Sequence, residues 1–196
     1  MNQEQVIELM LQALEHERGG IKVYETALKC VQNDDLREEF EKYLEETRNH
    51  EQVLLQICEA LEIDPEMPTP GREVVKTVGN ALVEAMNKAK AAGKPDAAEI
   101  VACECVVLAE TKDHLNWELI GQIADEGEGD GIEALEDAYD EVEDQEDEHL
   151  YHSKGWAREL WIQALGMEAK LPPPEERQHV KTAIGAARAE QARKRS

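Results

Sequence analysis

Apolar residues recur at alternating three- and four-residue intervals along four long stretches of the chain, the spacing that marks the buried seam of an amphipathic helix. The first seam runs Ile7, Met10, Leu14, Glu17, Ile21, Tyr24, Leu28, Val31, and the second Leu36, Phe40, Tyr43, Thr47, His50, Leu54, Ile57, Leu61. After a break come Ile100, Cys103, Val107, Glu110, His114, Trp117, Gly121, Ala124, and then Leu135, Tyr139, Val142, Glu146, His149, Ser153, Trp156, Leu160. Turn-forming clusters separate these stretches: Asn33-Asp34-Asp35, the Pro-rich run from Asp64 to Gly71, Gly93-Lys94-Pro95-Asp96, the glycines from Gly127 to Gly131, and Leu171-Pro172-Pro173-Pro174. No β-branched run alternates with period two, so an all-α fold is predicted. Helices are expected over about 3–31, 36–62, 72–92, 96–126 and 131–168. Asp34 or Asp35 is the expected cap of the second and Asp96 of the fourth.

Two long helices joined by a brief turn, a longer crossover, and two more long helices make the plan of a four-helix bundle. The bundle is expected to occupy residues 1–170, with a crossover over 63–95 that holds the shorter helix. Val75, Val78, Leu82 and Met86 give that helix an apolar face. Residues 171–196 shift toward Ala, Arg, Lys and Gln and read as a peripheral helix or a tail. Gly19-Gly20 inside the first helix costs about 1–2 kcal/mol of helix propensity, which a close helix approach or a local kink would explain.

Each seam is apolar above and below but interrupted near its middle by ionisable groups. Glu17 and His50 stand about equally far from the turn at 33–34, so antiparallel pairing brings them level; Glu110 and Glu146/His149 straddle the turn near 129 in the same way, to within about one helical turn. Three glutamates (Glu17, Glu110, Glu146) and three histidines (His50, His114, His149) then point into one core. An unpaired buried carboxylate costs several kcal/mol, against a whole domain's net stability of about 5–15 kcal/mol. Carboxylate oxygens with imidazole nitrogens suit iron or manganese, and one or two divalent cations would offset the charge. The spacing Glu146-x-x-His149 places both side chains on one face, a turn apart, where both can reach one metal.

Composition narrows the function classes. With 44 Asp and Glu against 21 Lys and Arg the formal net charge is −23, which argues against nucleic acid or an anionic membrane surface as partner. Aromatics make up only 4%, so the core must be aliphatic. The first residues lack a signal-peptide pattern and no apolar run approaches a membrane span; a cytoplasmic location is expected. The four cysteines (Cys30, Cys58, Cys103, Cys105) form no Cys-x-x-Cys pair, so buried thiols are expected rather than a zinc ribbon. His16 and His152 lie off the seams and are expected at the surface. The acidic run from Glu133 to Glu148 reads as a solvated face, and Asp125 to Gly131 lacks the ligand spacing of an EF-hand.

The interrupted seams resemble the ferritin-like di-iron carboxylate superfamily of ferritins, bacterioferritins and rubrerythrins, over about residues 5–62 and 96–160. That pattern carries a Glu on the first and third bundle helices and Glu-x-x-His on the second and fourth; Glu17, Glu110 and Glu146/His149 match it. Glu17 to Tyr24 also reproduces the family's Tyr seven residues on, and Trp117 holds the equivalent place after Glu110. The shared order of Glu, aromatic, Glu (ending in Glu25 and Glu118) suggests an internal duplication. Thr47-x-x-His50 departs from the pattern, with Thr in place of Glu; Glu46, next to the seam, is the candidate substitute, and His114 an added nitrogen ligand. The resemblance implies a metal site of Glu17, Glu46, His50, Glu110, His114, Glu146 and His149 holding iron, two ions in the family's form, with manganese or zinc as alternatives. It implies ferroxidase- or peroxidase-type oxidoreductase chemistry with O2 or peroxide; a homodimer is the default assembly. The competing expectation, favoured by Thr47, is a metal-free bundle in a stress-response or scaffolding role, its polar layer held by Glu–His hydrogen bonds.

Overall fold

A computed structural model describes residues 1–128 and 131–168. Its described residues form five helices and no strand: α1 (Gln3–Ala27), α2 (Asp34–Ala60), α3 (Pro70–Ala91), α4 (Pro95–Glu126) and α5 (Ile132–Ala164). The C-terminal stretch 171–196 lies outside the described residues. The predicted ends shift by up to four residues. The predicted caps also change. Asn33 caps α2, its side chain accepting from the Asp35 and Leu36 amides, and Asp34 is already helical. Pro95 opens α4 as its first residue, so Lys94 rather than Asp96 sits at the cap position, with no side-chain cap bond. Asn33→Ala should cost about 1 kcal/mol and lower the melting temperature by roughly 2–4 °C in a thermal scan.

The helices close in the cyclic order α1, α2, α5, α4, with α3 laid outside against α1 and α4. Side-chain ties fix the directions. Buried Glu99 near the start of α4 accepts both the Gln32 and Asn33 amides at 2.7 Å, and the His16 Nε2 of α1 meets the Ala109 carbonyl at 3.0 Å, so α1 and α4 are antiparallel. The crossover helix runs beside α1 in the same direction: Arg72 at its start donates to Glu15 Oε2 (2.9 Å), and Cys30 beyond the end of α1 reaches the Met86 carbonyl (3.9 Å). Arg72 also donates to the Pro65 and Met67 carbonyls, which pins the Pro-rich loop to the bundle.

α1 passes unbroken through Gly19-Gly20, and the close approach is the operative reason. A Cβ at Gly20 would sit 3.3 Å from Thr47 Cγ2, and one at Gly79 would meet the Gly19 Cα at 3.7 Å. Gly20 therefore lets α2 draw in beside Glu17, whereas Gly19 has open space around it and makes only ordinary contact with α3. On α3 the expected apolar face is only partly covered: Met86 is buried, whereas Val78 is exposed. All four cysteines are buried and none is in a disulfide. No described helix is long and apolar enough to cross a membrane.

The apolar core divides in two. One cluster gathers Val23, Tyr24, Phe40, Tyr43, Val106 and their neighbours; the other gathers Leu14, Leu54, Ile57, Trp117 and Val142. Between them lies the ionisable layer.

Candidate metal centre

Six side chains from the four bundle helices meet in that layer: Glu17 (α1), His50 (α2), Glu110 and Asp113 (α4), and Glu146 and His149 (α5), each no more than 3% exposed. Five are the inward groups expected from the seams, and their registers place them at one depth. His50 Nδ1 lies 3.0 Å from Glu146 Oε1 and 3.8 Å from Glu17 Oε1. His149 Nδ1 lies 3.6 Å from Glu110 Oε2 and 3.7 Å from Glu146 Oε1. The two imidazoles stack with centroids 5.6 Å apart. His50, Glu146 and His149 each offer a ligand atom within 4.8 Å of the others, as do Glu17, Asp113 and Glu146. Glu146 belongs to both triads.

A surrounding set of groups fixes the ligands' orientation. Trp117 Nε1 donates to Glu17 Oε1 at 2.9 Å, while the Tyr24 hydroxyl is buried beside Glu110. Each aromatic thus stands beside the glutamate of the other half of the chain, Trp117 by a hydrogen bond and Tyr24 by proximity. Gln145 Oε1 meets His50 Nε2 at 2.9 Å, and Glu46 Oε2 meets His149 Nε2 at 3.0 Å. Tyr43 packs its ring 4.3 Å from that of His149.

The electrostatics are those of an uncompensated acid cluster. Burial, with the neighbouring Asp113 carboxylate, pushes the Glu17 and Glu146 carboxyls well above the ordinary range, and burial raises Asp113 too. Burial alone would raise Glu110 as well, but contact with His149 and Tyr24 outweighs it and holds Glu110 low. His149 is raised to about 10, the carboxylates of Glu110 and Glu46 overriding the desolvation that would lower it. His50 is lowered by burial and by the adjacent His149. Glu17 Oε2, Glu110 Oε2, Asp113 Oδ1, both Glu146 oxygens and the Nδ1 atoms of His50 and His149 have no hydrogen-bond partner. Buried polar atoms are rarely left so. Their convergence on one small volume fits a divalent cation, which would satisfy hard oxygen and imidazole donors together.

Two expected ligands stand apart. Glu46 is half-buried and reaches the layer only through His149, with Lys42 3.6 Å from its other oxygen. His114 turns out of the layer: its Nε2 meets Asp147 Oδ1 at 2.7 Å and its Nδ1 lies 3.8 Å from Glu118. The inward position is Asp113, because the buried line on α4 runs Val106, Glu110, Asp113, Trp117 and leaves Val107 and His114 on its edge. Asp113 sits three residues after Glu110, the spacing that joins Glu146 to His149, and that repeat is the signal that would have found it. Thr47 is buried but donates back to the Tyr43 carbonyl (2.8 Å) and supplies no ligand atom.

His152 corrects a second expectation. It is buried, with Nδ1 2.8 Å from Glu39 Oε1 and 2.6 Å from Tyr43 Oη, because α5 faces both α2 and α4 and buries a wider arc than one seam. Glu39 also accepts from the Tyr43 hydroxyl at 2.8 Å and from Trp156 Nε1. This polar knot lies directly behind the layer.

An all-helical bundle with a buried acid–imidazole layer is the class that fold and geometry define. Residues 3–114, just over half of the chain, match the family described as a domain of unknown function (DUF892), and the chain belongs to that family. The match covers α1 to α3 and most of α4, including Glu17, His50, Glu110 and Asp113, and ends before Glu146 and His149. No curated protein and no solved structure matches the chain.

Proposed function

We propose that this protein is a ferritin-like bundle whose buried layer holds two divalent cations, iron in the first instance, and that it oxidises Fe(II) or reduces O2 or peroxide. The observation that carries the reading is the pair of ligand triads sharing Glu146 in a layer full of unpartnered donors. One triad is nitrogen-rich (His50, Glu146, His149) and the other all-oxygen (Glu17, Asp113, Glu146), with Glu110 beside His149. Iron bound there supplies reversible one-electron chemistry, and carboxylate ligands favour its ferric state. The chain's own part is positional. Trp117 sets the Glu17 carboxylate, Gln145 and Glu46 fix the two imidazoles by their far nitrogens, and the apolar clusters on either side keep bulk water out. The crossover through α3 agrees with the ferritin-like plan.

Elemental analysis of untagged protein, purified without chelator and titrated anaerobically with Fe²⁺, tests the proposal. About two equivalents of iron per chain are expected, and air should then develop near-ultraviolet charge-transfer absorption that zinc does not give. Less than about a tenth of an equivalent of iron, manganese or zinc, with no uptake on titration, overturns it. The 3.0 Å contact between His50 and Glu146 favours one rival, a metal-free bundle whose layer is closed by internal Glu–His pairs. That rival requires the second outcome.

A further inference from the structure

A small cleft of about 70 Å³ runs between α4 and α5 to the edge of the layer. His114, Glu118, Glu143 and Asp147 wall it, and Glu146 and Trp117 lie at its inner end. At the mouth the Glu118 and Asp147 side chains are 55% and 43% exposed, whereas Glu146 is 2% exposed and both its oxygens lack a hydrogen-bond partner. The cleft therefore leads from solvent up to the buried residue whose carboxylate both ligand triads share. We propose that it is the entry route by which divalent cations reach the buried layer, a reading that rests on the metal centre proposed above.

Its chemistry suits transit rather than storage. Three carboxylates and an imidazole concentrate a cation at the mouth, since clefts lined by one sign of charge raise local counter-ion concentration and on-rates. Among the described residues, however, the mouth groups form no set of three ligand atoms within mutual reach, in contrast to the two triads inside. A cation is thus attracted but not chelated, and the next ligand inward is Glu146. His114 finds its place here: it misses the layer and stands between Asp147 and Glu118 on the wall of the approach.

Stopped-flow uptake of Co²⁺ by the full chain at low ionic strength, followed by its visible absorption, separates the outcomes. The double variant Glu118→Gln/Asp147→Asn should bind the wild-type amount of cobalt with a rate constant about five- to tenfold lower. A control with the same change in charge on the opposite α1–α2 face, Glu25→Gln/Glu45→Gln, should stay within about twofold of wild type. Unchanged rates in the mouth variant, or equal slowing in both variants, overturn the route while leaving the metal centre standing. A reduced cobalt stoichiometry in the mouth variant makes Glu118 and Asp147 ligands and also overturns it. Wild-type protein that takes up no cobalt removes the metal centre and the route with it.

Discussion

Glu146→Gln is expected to move stability and metal binding in opposite directions. In the metal-free protein this carboxyl is buried, within reach of Glu110, Asp113, His50 and His149, and raised in pKa by burial first and by Asp113 and Glu110 next. Folding therefore forces a group that ionises freely in the unfolded chain to hold a proton or to carry an uncompensated charge, and either is a cost. Glutamine keeps the shape and removes the ionisation. The metal-free variant should gain about 1–2 kcal/mol, or about 3–6 °C in melting temperature for a chain of this length. The same change removes the one ligand common to both triads, so affinity for Co²⁺ or Fe²⁺ should fall by at least about a hundredfold. Calorimetric melting with and without metal reads both effects. A variant that is less stable without metal yet binds it as wild type does would show that Glu146 serves the fold alone. His149→Gln is the useful contrast. His149 stands between the carboxylates of Glu110 and Glu46, so its loss should weaken binding and destabilise the metal-free fold as well.

That opposition of signs explains why so much of the site was legible in sequence. A glutamate or histidine on an apolar seam is unfavourable for folding and stands out against Leu14, Leu54 or Val142 above and below it. Helix direction and equal distance from the turns then suffice to bring Glu17, His50, Glu110, Glu146 and His149 together. The details that escaped are those that seam spacing does not specify. On α4 the buried line shifts by one residue near the layer, which exchanges His114 for Asp113, because α5 and α1 flank that helix from different sides. His152 and Glu39 are buried by the α2–α5 contact rather than by either seam, and each is visible only once its partner across the interface is known. Thr47 reads as a lost ligand. In the fold its methyl fills the gap left by Gly20, and its hydroxyl is satisfied on its own helix, so the position serves packing. The caps failed for a local reason: Asn33 and Pro95 each began the helix one residue before the nearest Asp could cap it.

The pH dependence of stability should also reverse between metal-free and metal-loaded protein. Glu17, Asp113 and Glu146 have folded pKa values raised by burial. Above the unfolded carboxyl value, near 4, the unfolded chain gives up these protons while the folded one retains them, so rising pH destabilises the fold through that window. His149, raised to about 10, contributes stability that is fully present below the unfolded value of about 6.5 and is lost as pH rises through about 10. Glu110 and Glu46 are held low by His149; their contribution is present above the ordinary carboxyl range and lost only as acid protonates them. His50, lowered by burial and by His149, favours the fold as pH rises through the unfolded histidine value, and it opposes the trend over that narrow interval. His149 and the raised carboxyls together outweigh it. The metal-free melting temperature should therefore peak in mildly acidic solution and fall by about 5 °C between pH 6 and pH 8.5. A bound cation competes with these same protons, so its affinity rises with pH and loading releases protons into a weakly buffered solution. In excess Mn²⁺ the melting temperature should rise over the interval in which the metal-free value falls. Parallel curves with and without Mn²⁺ would mean that the raised carboxyls and His149 do not face the metal, and the centre would have to be sought elsewhere in the bundle.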